Sequence, residues 1–225
     1  MQALRALVPL ALALVLAATA AAAKLPLAPL ASAGKLVPAP SPGKMGPEGV
    51  PVPSGSLLAQ PQTVKLDQTI AGVRCERIEK IAFHVHAHLT IFVDGKAKVI
   101  PYGVGIGPPL EGVNTPAGPF VELGSCFMWL HTHALDGIIH MEAPKPMSFT
   151  LGQFFAVWGL PLSKTRVGPA TGKVTAFYNG KVWTANPGSI PLSSELQVQL
   201  DVGKPVVAPE HITFPKGLAP SKKMK

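Results

Sequence analysis

Residues 81–93, IAFHVHAHLTIFV, alternate with a strict two-residue period and run directly into Asp94-Gly95, after which KAKVIPYGVGI resumes an extended pattern. Successive strand side chains point to opposite faces, and Asp-Gly is a strong signal for a tight hairpin turn, so this segment commits the chain to an antiparallel pair. Two further segments read the same way. Residues 127–133 (FMWLHTH) and 138–142 (IIHME) flank Ala134-Leu135-Asp136-Gly137, and residues 173–184 (KVTAFYNGKVWT) carry Asn179-Gly180 between two short apolar runs. ELQVQLDVG (195–203) is a last alternating strand. SFTLGQFFAVWG (148–159) breaks the pattern, with Ser148 or Thr150 as N-cap, apolar residues at 151, 154, 155 and 158, and Gly159 as the stop. The chain holds 25 prolines and 22 glycines, which disfavours a helical bundle. The expected class is α+β or mainly β: antiparallel hairpins forming a sheet or sandwich with one short covering helix.

Period two has a chemical consequence here. His84, His86 and His88 share one face of the first strand, and Phe83, Val85, Ala87 and Leu89 share the other, which is the expected core face. In the second hairpin His131 and His133 share a face with Phe127 and Trp129, and His140 shares one with Ile138 and Glu142. Met128, Leu130, Ile139 and Met141 then point to the core. With the two hairpins side by side, one surface carries six of the seven histidines and a carboxylate.

Three imidazoles at period two repel one another when protonated, a cost without purpose in a structural sheet, whereas a metal ion turns their proximity to use. Alternate strand residues stand about 6.6–6.8 Å apart, so a His-x-His pair can share an ion but His84 and His88 cannot easily do so. The inner set is expected to be His86, His88, His131 and His133, with His84 and His140 as further candidates and Glu142 as a ligand or an orienting partner. Copper and zinc both accept such donors, and a second ion is compatible with the donor number. Cys75 and Cys126 read as one disulfide in an exported chain, with thiolate ligation as the alternative. Phe154, Phe155 and Trp158 read as helix packing, from where the helix could still cover the histidine face. Asp136-Gly137 reads as turn chemistry, and His211 as incidental.

The ends of the chain point to export. Residues 1–23 have a short basic start, an apolar run and small residues before Lys24, the layout of a signal peptide; left uncleaved, the segment would tether the protein. Residues 24–62 hold nine prolines without helical or strand periodicity and are expected to form a Pro-rich disordered linker. A single His-rich β domain is expected over 63–218 and a basic tail over 219–225. The formal charge of +8 is thinly spread apart from Lys222, Lys223 and Lys225, with no basic stripe for nucleic acid. The expected location is secreted or periplasmic, with no stable membrane insertion after cleavage and with a metal ion as partner.

The stretches FHVHAHLTIFVDGK, CFMWLHTHALDGIIHMEAP and FTLGQFFAVWG resemble a group of bacterial exported proteins without an assigned activity. The resemblance covers about residues 73–218, including AFYNGKVW and TFPKGL. It implies a recurring H-x-H-x-H and H-T-H-x6-H pattern at His84, His86, His88, His131, His133 and His140, with both cysteines matching. An aspartate frequent in that group after H-T-H is Ala134 here, which removes any ligand or base role for that position.

Three functions fit these observations. The first is an exported copper- or zinc-binding protein for storage, delivery or protection. The second is a secreted metalloenzyme, of zinc hydrolase/lyase or copper oxidase type, with Glu142 as its acid/base. The third is an interaction domain whose histidines sense acid, titrating near pH 6.5.

Overall fold

The structure, a computed structural model, describes residues 24–218; the expected signal peptide and basic tail lie outside the described residues. Short strands β1 (Leu27–Ala28), β2 (Leu36–Val37) and β3 (Ser56–Leu57) come first. They are followed by β4 (Val73–Glu76), the eleven-residue β5 (Phe83–Val93) and β6 (Lys96–Val99). Next come β7 (Glu111–Thr115), β8 (Gly118–Leu123), β9 (Phe127–Met128), β10 (Leu130–His131) and β11 (Ile138–Ala143). Helix α1 (Leu151–Trp158) precedes β12 (Val174–Tyr178), β13 (Lys181–Trp183), β14 (Leu196–Val202) and β15 (Val206–Val207). The fold is mainly strands in several sheets with a single α-helix among the described residues.

The largest sheet runs β1-β13-β12-β14-β5-β11-β10, with β6 paired to the far half of β5 and β3 to β6. Two of the three expected hairpin turns have the required geometry. Asp94 and Gly95 adopt φ +48° and +74°, and Asn179 and Gly180 +45° and +76°, the left-handed pairs that match strand twist. The third differs. β10 ends at His131 and β11 begins at Ile138, so Asp136-Gly137 closes a longer connection, and Asp136 is buried rather than exposed in a tight turn. The neighbour of β5 on its other edge is also unlike a hairpin: β14 pairs with it in parallel, from Leu196↔Ala87 to Val202↔Val93.

The apolar face of β5 is core as expected. Ala87, Leu89 and Ile91 pack with Met128, Leu130, Ile139, Met141 and the helix residues Leu151, Phe154, Phe155 and Trp158. Thr150 caps this helix through a reciprocal capping box with Gln153, which selects it over Ser148, and Gly159 ends it in the left-handed region at φ +84°. Because α1 packs on the apolar face, it does not cover the histidines. Cys75 and Cys126 form a disulfide with Cα atoms 5.5 Å apart, which removes the thiolate-ligand alternative. Closing a loop of 51 residues this way contributes roughly 4 kcal/mol in the chain-entropy model.

The histidine face is buried as well, and its cover corrects the expectation of a free tether over 24–62. β1 pairs with β13, β2 with β15, and β3 with β6, so the proline-rich stretch is laid along the body of the protein. Proline favours extended backbone, and short extended pieces can join existing sheet edges without a periodic face of their own. Val37 and Val207 pack on Phe92 and Ala97, and Glu48 comes to rest over the histidines.

Candidate metal centre

Strand register builds the site. β11 pairs antiparallel with β5, setting His140 opposite His86 and Glu142 opposite His84, and β10 pairs with β11, setting His131 opposite His140. His131, His140 and His86 thus form one row across three adjacent strands. His133, in the connection after β10, swings back to the row, its ring stacked on Phe120 with centroids 5.0 Å apart.

The hydrogen bonds of these rings determine which nitrogen faces inward. A carbonyl oxygen only accepts, so a ring nitrogen bonded to one carries the proton, and in a neutral imidazole the other nitrogen then holds a bare lone pair. His86 Nδ1 donates to Leu218 O at 2.7 Å, His131 Nδ1 to Met128 O at 2.8 Å, and His133 Nδ1 to Val121 O at 2.5 Å. Each therefore turns Nε2 toward the centre. His140 is held the other way round: Nε2 donates to the Glu48 carboxylate at 2.6 Å, leaving Nδ1 inward. Orienting a ring through its second nitrogen with a carbonyl or carboxylate is the usual support of a metal-ligating histidine.

The inward atoms lie very close together. His84 Nε2 is 3.0 Å from His86 Nε2, His86 Nε2 is 3.2 Å from His140 Nδ1, and His131 Nε2 is 3.0 Å from His133 Nε2. Two ligands at about 2.0–2.1 Å in a tetrahedron about zinc stand about 3.3 Å apart, so these spacings are those of donors to a shared ion. Glu142 Oε1 lies 3.0 Å from His84 Nε2 and 3.3 Å from His140 Nδ1, while Glu79 Oε1 lies 3.3 Å from His133 Nε2. His131, His133, His140 and Glu142 form one group that could hold a metal ion, and His84, His86 and His140 another.

Burial disfavours a proton on every ring of the row; neighbouring histidines add to that effect at His86 and His131, and carboxylates oppose it at His140. Burial, aided by the neighbouring His140 and His84, pushes the pKa of His86 down to about 3. Burial beside His133 likewise holds His131 well below the usual imidazole range. Burial also opposes protonation of His140, but hydrogen bonds to Glu142 and Glu48 outweigh it and lift that ring to about 9. Glu142 is buried too, yet His140 and His84 keep it far below the ordinary carboxylate range. Asp136 is driven up to about 8 by burial and by the negative charge of Glu48, to which it is hydrogen-bonded. At neutral pH the proton on His140 is thus the cation at the centre, a place a metal ion can take.

Against the expected inner set, His86, His131 and His133 converge and His88 does not. Its partner across the strands is Ile138, and its Nε2 donates to Asp136 O at 2.9 Å. Burial lowers its pKa to about 4. His84 takes its place, and His140 joins. His88 instead borders a cavity of about 320 Å³ walled by Pro40, Pro42, Pro51 and His211. Met128 and Met141 are core residues, as their alternation implied.

Two carboxylates that lie against the histidines, Glu48 and Glu79, escaped the sequence reading. Glu48 is the one acidic residue in 24–62, a faint signal in a segment taken for a linker. Glu79 sits among Glu76, Arg77 and Lys80 and looks like ordinary surface charge. Gly46 lets the covering segment reach the site: a Cβ there would stand 2.7 Å from Asp136 Oδ2.

Comparison with protein-family models, curated proteins and solved structures finds no match to this chain.

Proposed function

We propose that this chain is an extracytoplasmic metal-binding protein that holds copper or zinc in its divalent state, for storage, delivery or protection. The observation that carries the reading is the pair His131 and His133: both protons are fixed on Nδ1 by carbonyls, leaving two Nε2 atoms 3.0 Å apart. In neutral rings these are two facing lone pairs, an arrangement that a shared cation relieves. The donors are imidazole and carboxylate throughout, with the cysteines oxidised and the nearby methionines in the core, which favours Zn(II) or Cu(II) over soft Cu(I). The disulfide fits an oxidising compartment, and no helix among the described residues is long and apolar enough to cross a membrane.

A secreted metalloenzyme is the second reading, favoured by the cavity beside His88, one alternate strand position from His86. The acid-sensing reading loses support, because His86, His88 and His131 are all held well below pH 6.5 and His140 well above it.

Metal content of untagged protein exported by its host, followed by zinc and copper titration of the metal-free form, tests the proposal. Tightly held copper or zinc, lost in the His86→Ala/His133→Ala double variant, is the expected result. Wild type and variant alike without metal would overturn it.

A further inference from the structure

We infer that the centre holds two metal ions, bridged by Glu142; this rests on the metal-binding reading and deepens it. The donors are too many for one ion and fall into two groups that share His140, whose one inward nitrogen we assign to the His84 and His86 side. His84 Nε2, His86 Nε2 and His140 Nδ1 form a three-nitrogen set with neighbouring separations of 3.0 and 3.2 Å. His131 Nε2 and His133 Nε2, 3.0 Å apart, form a second set with Glu79 Oε1, which stands 3.3 Å from His133 and 3.9 Å from His131. Six donors plus Glu142 exceed the four that zinc takes in a tetrahedral site.

Glu142 lies between the two sets. Its Oε1 is 3.0 Å from His84 Nε2 and 3.3 Å from His140 Nδ1 on one side, and 4.0 Å from His131 Nε2 on the other. Its second oxygen, Oε2, is buried without a hydrogen-bond partner, a costly state for a carboxylate that a metal bond relieves. The rings of His86, His131, His133 and His140 cannot bridge, because each has its outer nitrogen committed to a carbonyl or to Glu48. Carboxylate-bridged ions of this kind stand about 3.5–4 Å apart. The two sets also differ in access: Glu79 and His84 are part-exposed, at 34% and 27% of their side chains, whereas His131 is fully enclosed. Each ion therefore has one donor at the surface through which it can arrive.

Metal-free protein titrated with Cu(II), with bound copper counted by mass spectrometry and followed by electron paramagnetic resonance, decides the matter. Two ions per chain are expected, with the spin signal at full loading well below that of two isolated Cu(II) ions. His84→Ala and His133→Ala should each keep one ion, and Glu142→Gln should restore uncoupled signals or drop one ion. Thermal unfolding confirms that each variant is folded, and the wild-type count stands without them. One ion per chain, lost alike from both histidine variants, would overturn the two-ion centre while leaving metal binding intact. Two ions with no coupling, indifferent to Glu142→Gln, would overturn the bridge. No copper and no zinc bound to wild type would remove the metal-binding reading itself.

Discussion

The two faces of β5 are equally buried and are held together by different physics. On one face Ala87, Leu89 and Ile91 meet the aromatic side of α1, a contact that any well-shaped apolar set could make. On the other, His86 and His88 are 3% and 4% exposed, His86 against Leu218 and His88 beside Pro40, Pro42 and Pro51. What fixes that second face is hydrogen bonding: ring nitrogens to Leu218 O and Asp136 O, and His140 to Glu48. Apolar burial is tolerant of detail, whereas polar burial demands a partner for every atom, so the two faces should fail in different ways.

The largest effect is expected on the apolar face. Phe155→Ala should destabilise the protein by about 3–5 kcal/mol in denaturant unfolding, equally with and without metal. A loss that saturating metal fully restores would erase the distinction between the faces. On the histidine face, Glu48→Gln keeps the shape but weakens the support of His140, and metal affinity should fall about 10–100-fold by titration calorimetry. An unchanged affinity would make Glu48 part of the cover alone.

Acid sharpens the contrast further. His86 and His88 have folded-state pKa values of about 3 and about 4, below the 6.5 of an unperturbed ring, so the unfolded chain binds more protons as pH falls below about 6.5. Metal-free protein should lose stability through that window, each ring contributing up to about 1.4 kcal/mol per pH unit. His140 acts in the opposite sense, since its pKa near 9 supplies stability that is complete below 6.5 and lost as pH rises toward 9. Stability should therefore peak near neutrality, and His88→Gln should flatten the acid limb; a limb unchanged by that substitution would assign it elsewhere. The smallest effect belongs to His211→Ala on the cavity rim, within about 0.5 kcal/mol of wild type and without change in metal affinity.

The strands, two tight turns, the capped helix and the shared face of the histidines were legible because each depends on neighbours close in sequence. The choice of His84 over His88 was not, because it depends on where β11 begins. The connection from 132 to 137 sets Ile138 opposite His88, and this long-range register decides which of two equivalent strand positions meets His140. The parallel pairing of β14 with β5 is long-range in the same way. The cover over the histidines was hidden for another reason: residues 24–62 have no buried face of their own, and the surface that orders them is supplied by the rest of the protein. Glu48 was concealed with them.

Two of the contacts that aim the rings come from segments far from them in sequence, one on either side. His140 is set by Glu48, 92 residues earlier, and His86 by the carbonyl of Leu218, 132 residues later. A chain emerging from a ribosome or an export channel has the six clustered histidines, the last of them His140, well before it has the carbonyl of Leu218. Until then His86 lacks the bond that turns Nε2 inward, so half-made chains offer only a loose imidazole cluster. On the metal-binding reading proposed above, the full donor set is therefore in place only once residue 218 has joined the fold.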